Sequence, residues 1–102
     1  MTAQELRKLL KAGEPPCLLD VRSSLEFRAG HIPGALHAPG WKIMFGLAPL
    51  PRDKSARVVL TCEHGPRAQM ARSILGMRGY ASVALLDGHM AGWRRGGHPM
   101  EI

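Results

Sequence analysis

The sequence contains no apolar run approaching the roughly 18 to 20 residues that span a bilayer as a helix, and its opening MTAQELRKLLKAGE carries no apolar block of the kind a secretion signal needs. Neither membrane insertion nor export is expected, and the cytoplasm is the expected location. Cysteine is scarce, with Cys17 and Cys62 the two examples. A small secreted domain relies on a denser disulfide framework, so two free thiols in a reducing compartment fit better, and a lone thiol is then available for chemistry. The CxxC pairs of structural zinc sites are missing, and His31, His37, His89 and His98 do not combine with the cysteines at zinc-ligand spacing. No metal and no cofactor is expected. Internal repeats, low-complexity tracts and long linkers are also lacking, and 102 residues fit one domain, residues 1–102, around one core.

Hydrophobic residues make up 45% and charged residues 22%, which separates the chain from disordered, charge-rich sequences and predicts a packed fold. The formal charge is +6, from 14 Lys and Arg against 8 Asp and Glu, and such a balance attracts anions. The basic residues are spread from Arg7 to Arg95 without a basic arm interleaved with aromatics. Nucleic acid is therefore not the expected partner, and a small anionic substrate suits the charge equally well.

Thr2 and Glu5 have capping-box spacing ahead of Leu6, Leu9 and Leu10, which predicts a helix from about Ala3 to Lys11. Cys17 to Val21 reads as a buried strand, and Ser23 or Ser24 then caps a short helix through Arg28 that Gly30 ends. The Pro- and Gly-rich stretch from Pro33 to Pro51 predicts mostly loop with one helical turn. Arg57 to Thr61 is a second strand, Arg67 to Met77 a helix with Ala71, Ile74 and Leu75 facing a core, Ser82 to Leu86 a third strand, and Met90 to Arg95 a last helix. Strands alternating with helices predict an α/β fold with a mostly parallel central sheet and helices on both faces.

The most informative segment is LTCEHGPRAQMARSILGMRGY, in which a buried strand runs into a short turn and then a helix. Cys62 stands at the carboxyl end of that strand, the edge at which open α/β sheets bind ligands. Free amides at a helix start bind anions and favour a thiolate over a thiol. Gly65 permits positive φ, which lets the turn curl its amides inward, and Pro66 suits the first helical position. Arg67 adds a permanent cation able to hold an anionic donor or steady the thiolate. Glu63 acts against this by disfavouring negative charge beside it, unless it points to solvent. His64 is either a donor to a leaving group or an exposed polar loop residue. Cys17, within an apolar strand, reads as a core residue.

Three segments together resemble the rhodanese homology family over nearly the whole chain, from Leu6 to Pro99. They are LLDVRSSLEFRAGHIPGALHAP, VVLTCEHGPRA and LLDGHMAGWRRGGHP, in that order. The resemblance implies a rhodanese-like fold and a sulfurtransferase in which Cys62 takes sulfane sulfur from a donor such as thiosulfate as a persulfide. The acceptor would be cyanide, a thiol or a protein. Glu63, His64, Gly65, Pro66 and Arg67 would line the donor site, while Asp20, Arg22, Glu26 and His31 would tie the first loop and the GHIPG turn beneath it. Gly34 and Trp93 would be packing residues. Two departures stand out: His89 replaces the second Gly of the usual Gly-Gly pair and Gly92 precedes Trp93 where Ala is usual; both lie outside the cysteine loop, so His89 is expected to border the pocket and bear on which acceptor fits, and neither is expected to touch the thiolate or its cradle. A rival reading is a sulfur-carrier or protein-interaction module with little thiosulfate turnover. A third is phosphatase chemistry, which resembles CxxxxxR, whereas this chain has CxxxxR.

Overall fold

The computed structural model describes residues 1–102. Its order is α1 (Ala3–Lys11), β1 (Cys17–Asp20), α2 (Ser24–Ala29), β2 (Leu36–His37), α3 (Gly40–Met44), β3 (Val58–Thr61), α4 (Pro66–Met77), β4 (Val83–Leu85) and α5 (His89–Arg95). Local chemistry accounts for the helix starts. The Thr2 hydroxyl accepts the Glu5 N–H at the head of α1, and Ser23 and Glu26 form a reciprocal capping box at the head of α2. Ser23 is thus the cap of α2. Pro66 opens α4, where its missing N–H costs no intrahelical bond.

The four strands form one parallel sheet in the order β2-β1-β3-β4. The chain leaves β1 toward β2 on one side and returns to β3 on the other, so the strand order reverses between β1 and β3. That switch point opens a crevice outside the carboxyl ends of these two central strands. Both are short apolar runs buried on both faces, as parallel strands under two helical layers must be.

Side chains alternate across the sheet. Leu19, Val58 and Leu60 pack with Ile43 of α3 and with Ala71 and Leu75 of α4. Leu18 and Val59 face the other way, against Leu6 of α1 and Met90 and Trp93 of α5. Trp93 is fully buried and its indole N–H donates to the Pro99 carbonyl at 2.7 Å, which fastens the chain after α5 across that layer. Each such apolar side chain contributes about 1.5 to 3 kcal/mol by leaving water.

The helical turn expected between Pro33 and Pro51 is α3. The same stretch also holds β2, whose two residues are too few to carry a strand period and whose pairing is set by β1, with Leu19 opposite Leu36 and Asp20 opposite His37. Helix α5 begins at His89, one residue earlier than its apolar pattern predicts, with Gly88 as a left-handed cap.

Candidate active site

Cys62 follows the last residue of β3 and is fully buried at the β1/β3 switch point. The turn after it reverses through Gly65, which has φ +128 and caps α4. This conformation is unfavourable for a residue with a Cβ, and it aims the Gly65 N–H at Cys62 Sγ, 3.0 Å away. An N–H donor fixed on a sulfur supports negative charge there. The carbonyls of Cys62 and Glu63 turn outward to accept the Met90 N–H at 3.0 Å and the Ala91 N–H at 3.3 Å, which docks the loop on the first turn of α5. Beneath the loop, the Cys62 N–H donates to His89 Nδ1 at 3.3 Å.

The charged side chains around this loop are paired. Glu63 does not point freely into solvent: its carboxylate accepts Arg22 Nη1 at 3.4 Å and Arg94 Nη2, and its side chain is 21% exposed. Two cations therefore offset the negative charge beside Cys62. Arg67 is engaged by Glu26: its guanidinium forks onto that carboxylate, with bonds of 2.6 and 3.0 Å. That fork is the main reason the Glu26 carboxyl is lowered to about 2; the bonds from Ser23 add to the effect and burial opposes it. Arg67 is raised in turn, chiefly by Glu26, with smaller contributions from the fields of Cys62 and Asp20.

Arg22 is buried, and it grips the fully buried Asp20 carboxylate through Nε and Nη2 while also donating to the Gly30 carbonyl at 2.7 Å. The loop after β1 is thereby tied to the turn after α2. His31 Nδ1 donates to the Phe27 carbonyl at 2.8 Å and its ring stacks on Phe27, with centroids 3.8 Å apart. Asp20 and Arg22 thus brace one loop, His31 is anchored on α2, and Glu26 reaches across to α4. A surface cleft of about 320 Å³ lies beside Arg22, Glu26, Gly30 and Arg94.

Of the residues expected to line the site, Cys62 and Gly65 meet directly through the sulfur contact. Pro66 and Arg67 form the exposed start of α4, and His64 is exposed on the turn. Cys17 packs against the core from its edge, as its apolar strand predicts. It opens β1 half-buried, beside a cleft it lines with Pro15, Pro16 and Arg57 at the opposite end of the sheet, and burial pushes its thiol up. Arg94 carries no signature in the sequence, for no local pattern marks a helix-end arginine as the partner of a loop carboxylate. His89, expected to leave the cradle untouched, instead accepts the Cys62 N–H from 27 residues away, a contact that has no sequence signature.

The chain matches the rhodanese-like domain family over residues 2–95. A sulfurtransferase of Allochromatium vinosum is 33% identical over 98 residues, covering 96% of this chain and 90% of that protein. The thiosulfate sulfurtransferase GlpE of Pseudomonas fluorescens is 34% identical over 85 residues, covering 83% of this chain and 75% of its own. The structure of the human single-domain sulfurtransferase TSTD1 superposes with a TM-score of 0.81 at 29% identity, covering 93% of this chain and 94% of that one. With its parallel sheet, its switch-point cysteine and these likenesses together, the chain belongs to the rhodanese-like domain family, as a relative of sulfurtransferases.

Proposed function

We propose that this chain moves sulfane sulfur from an anionic donor such as thiosulfate to a thiophilic acceptor through a persulfide on Cys62. The observation that carries this reading is the Gly65 N–H held 3.0 Å from Cys62 Sγ at the switch point. In the first step the Cys62 thiolate attacks the outer sulfur of thiosulfate. A new S–S bond forms, the S–S bond of the donor breaks, and sulfite leaves with the electron pair. In the second, a nucleophile such as cyanide or a thiolate takes the terminal sulfur and returns the Cys62 thiolate. The Gly65 amide supports the anionic sulfur throughout, and the paired Glu63 no longer opposes it. Resemblance to GlpE supports thiosulfate as the donor.

Intact-mass spectrometry with and without thiosulfate tests this. One added sulfur that a reductant removes is expected in the wild type and in Cys17→Ser, and none in Cys62→Ser. Loading of Cys62→Ser to the wild-type level would reject the mechanism.

The complete burial of Cys62 favours one second reading, in which the persulfide is filled by a partner protein and thiosulfate turns over slowly. A mass shift appearing far more slowly than cyanide can discharge the loaded protein would select it. Phosphoryl transfer fits less well. Four residues separate Cys62 from Arg67, Sγ is covered, and Arg67 is held by Glu26. Aryl phosphates should be hydrolysed no faster than by Cys62→Ser.

A further inference from the structure

His89 stands at a position where only special circumstances favour a residue with a side chain. Its φ is +51, the left-handed region in which a Cβ crowds the backbone, and it is the one non-glycine residue of the chain with positive φ. A glycine would sit there without strain. The imidazole that replaces it is buried beneath the Cys62 turn. Nδ1 accepts the Cys62 N–H at 3.3 Å, and a Cβ built on Gly65 would lie 3.2 Å from Nε2. One ring therefore bonds the amide of the residue that bears the sulfur and fills the space a side chain would need on the glycine whose amide donates to it. Strain kept at such a place points to a role.

The contact also defines a protonation state. Nδ1 can accept the Cys62 N–H only while it carries no proton, so the neutral ring bears its proton on Nε2. The charged ring would set an N–H against an N–H and lose the bond. We propose that His89 is a positioning residue that, as a neutral imidazole, holds the Cys62 turn in its sulfur-binding shape, and that protonation of Nδ1 releases the turn and slows sulfur loading.

The proposal rests on sulfur transfer at Cys62 for its effect on rate, although its hold on the turn is separately measurable. Burial pushes His89 below the ordinary histidine value, with His64 adding to this and Asp87 opposing it. The groups around the ring are Cys62 and His64 on the turn and Asp87 before α5, the last lying 3.7 Å from the Met1 amine. On its own helix, Arg94 sends its guanidinium back to the Glu63 carboxylate of the turn, where the two charges offset each other, and Arg95 lies at the helix end. The neutral form thus prevails at neutral pH, and release belongs below the ordinary histidine range near 6.5.

The test uses the full chain, labelled with ¹⁵N, and two variants. His89→Asn keeps an acceptor near Nδ1, tolerates positive φ and does not titrate; His89→Gly suits the backbone and removes the acceptor. Three quantities are read against pH: the tautomer of the ring from long-range ¹H–¹⁵N spectra, the protection of the Cys62 amide from exchange, and sulfur loading from thiosulfate by intact mass. In the wild type the ring is expected in its Nε2–H form at neutral pH, and Cys62 amide protection should fall in step with ring protonation. His89→Gly should lose roughly tenfold in amide protection and in loading, and His89→Asn should restore both without the histidine-linked step. An Nδ1–H ring at neutral pH would overturn the proposal, as would wild-type protection in His89→Gly. Should His89→Gly not fold, retention of the histidine-linked step in His89→Asn overturns it just as well. If the ring and the amide behave as expected but no variant and no wild-type protein takes up sulfur, the hold on the turn stands and the sulfur-transfer reading is the part that fails.

Discussion

Arg67 and Glu26 face each other in a two-bonded fork, 2.6 and 3.0 Å long, that ties the first turn of α4 to the first turn of α2. The cation nearest the Cys62 turn in sequence is therefore occupied in the resting protein. Its side chain and that of Glu26 are 47% and 34% exposed, so the pair is solvated and able to exchange partners. An anionic donor bound at Arg67, as proposed, would compete with Glu26 for the same guanidinium.

Opposite substitutions should consequently move the donor KM in opposite directions. Glu26→Gln keeps the capping box with Ser23 but weakens the fork, and the KM for thiosulfate should fall by about 1.5- to 5-fold, the worth of an exposed ion pair. Arg67→Ala should raise KM by about 10- to 150-fold, as loss of a charged hydrogen bond does, with little change in the urea midpoint. Steady-state thiosulfate:cyanide kinetics check both. Unchanged KM in the two variants would place Arg67 outside the donor's path.

The same carboxylate makes stability depend on acid. Glu26 is held at about 2 in the folded protein against 4.5 ordinarily, so the fold favours its charged form. That contribution is complete above the ordinary value and is lost as pH falls through about 2. Urea melts of wild type and Glu26→Gln should differ by a constant amount above about pH 5, within about 1 kcal/mol because the pair is solvated, and converge toward pH 2. A gap that widens on acidification would contradict the assignment.

Asp20 and Arg22 should behave differently, since both are buried. Replacing Arg22 by Ala leaves the Asp20 carboxylate without its counter-ion in the protein interior and frees the Gly30 carbonyl. The expected loss is about 3 to 5 kcal/mol in urea denaturation. A midpoint equal to that of the wild type would show that water replaces the guanidinium at no cost.

Gly65→Ala tests the turn itself. The new methyl would meet His89 Nε2 at 3.2 Å, and φ +128 disfavours any side chain. Destabilisation of about 1 to 3 kcal/mol is expected, together with slower persulfide loading as the amide leaves Cys62 Sγ. Adding His89→Gly removes the contact and leaves the dihedral strain, so the double variant should regain part of the stability and none of the loading. Wild-type loading in Gly65→Ala would show that the Gly65 amide is dispensable.

Much of this protein is legible along the chain because it is locally determined. Thr2 with Glu5 and Ser23 with Glu26 cap their helices at a separation of three residues, and Gly65 and Pro66 shape the turn from within it. Apolar runs alternating with helical periods lead to the parallel sheet, and the sheet places Cys62 at its carboxyl edge. The two-residue β2 escapes this reading, because its strand character comes from β1 and not from its own residues.

The surroundings of Cys62 belong to the tertiary structure. Glu63 meets Arg22 and Arg94 from 41 and 31 residues away, Arg67 meets Glu26 across 41, and the Cys62 amide reaches His89 across 27. An arginine's sequence neighbours do not specify which carboxylate it will pair with, and a histidine after a glycine does not specify which amide it will accept. The sequence by itself determined the elements other than β2, the parallel sheet and the place of Cys62 at its carboxyl edge, since each follows from propensity, period and turn chemistry within a short window. Only the packing of α2, α4 and α5 around one switch point decided which charges are paired beside the sulfur and which ring holds its turn, because those depend on distances that no local pattern encodes.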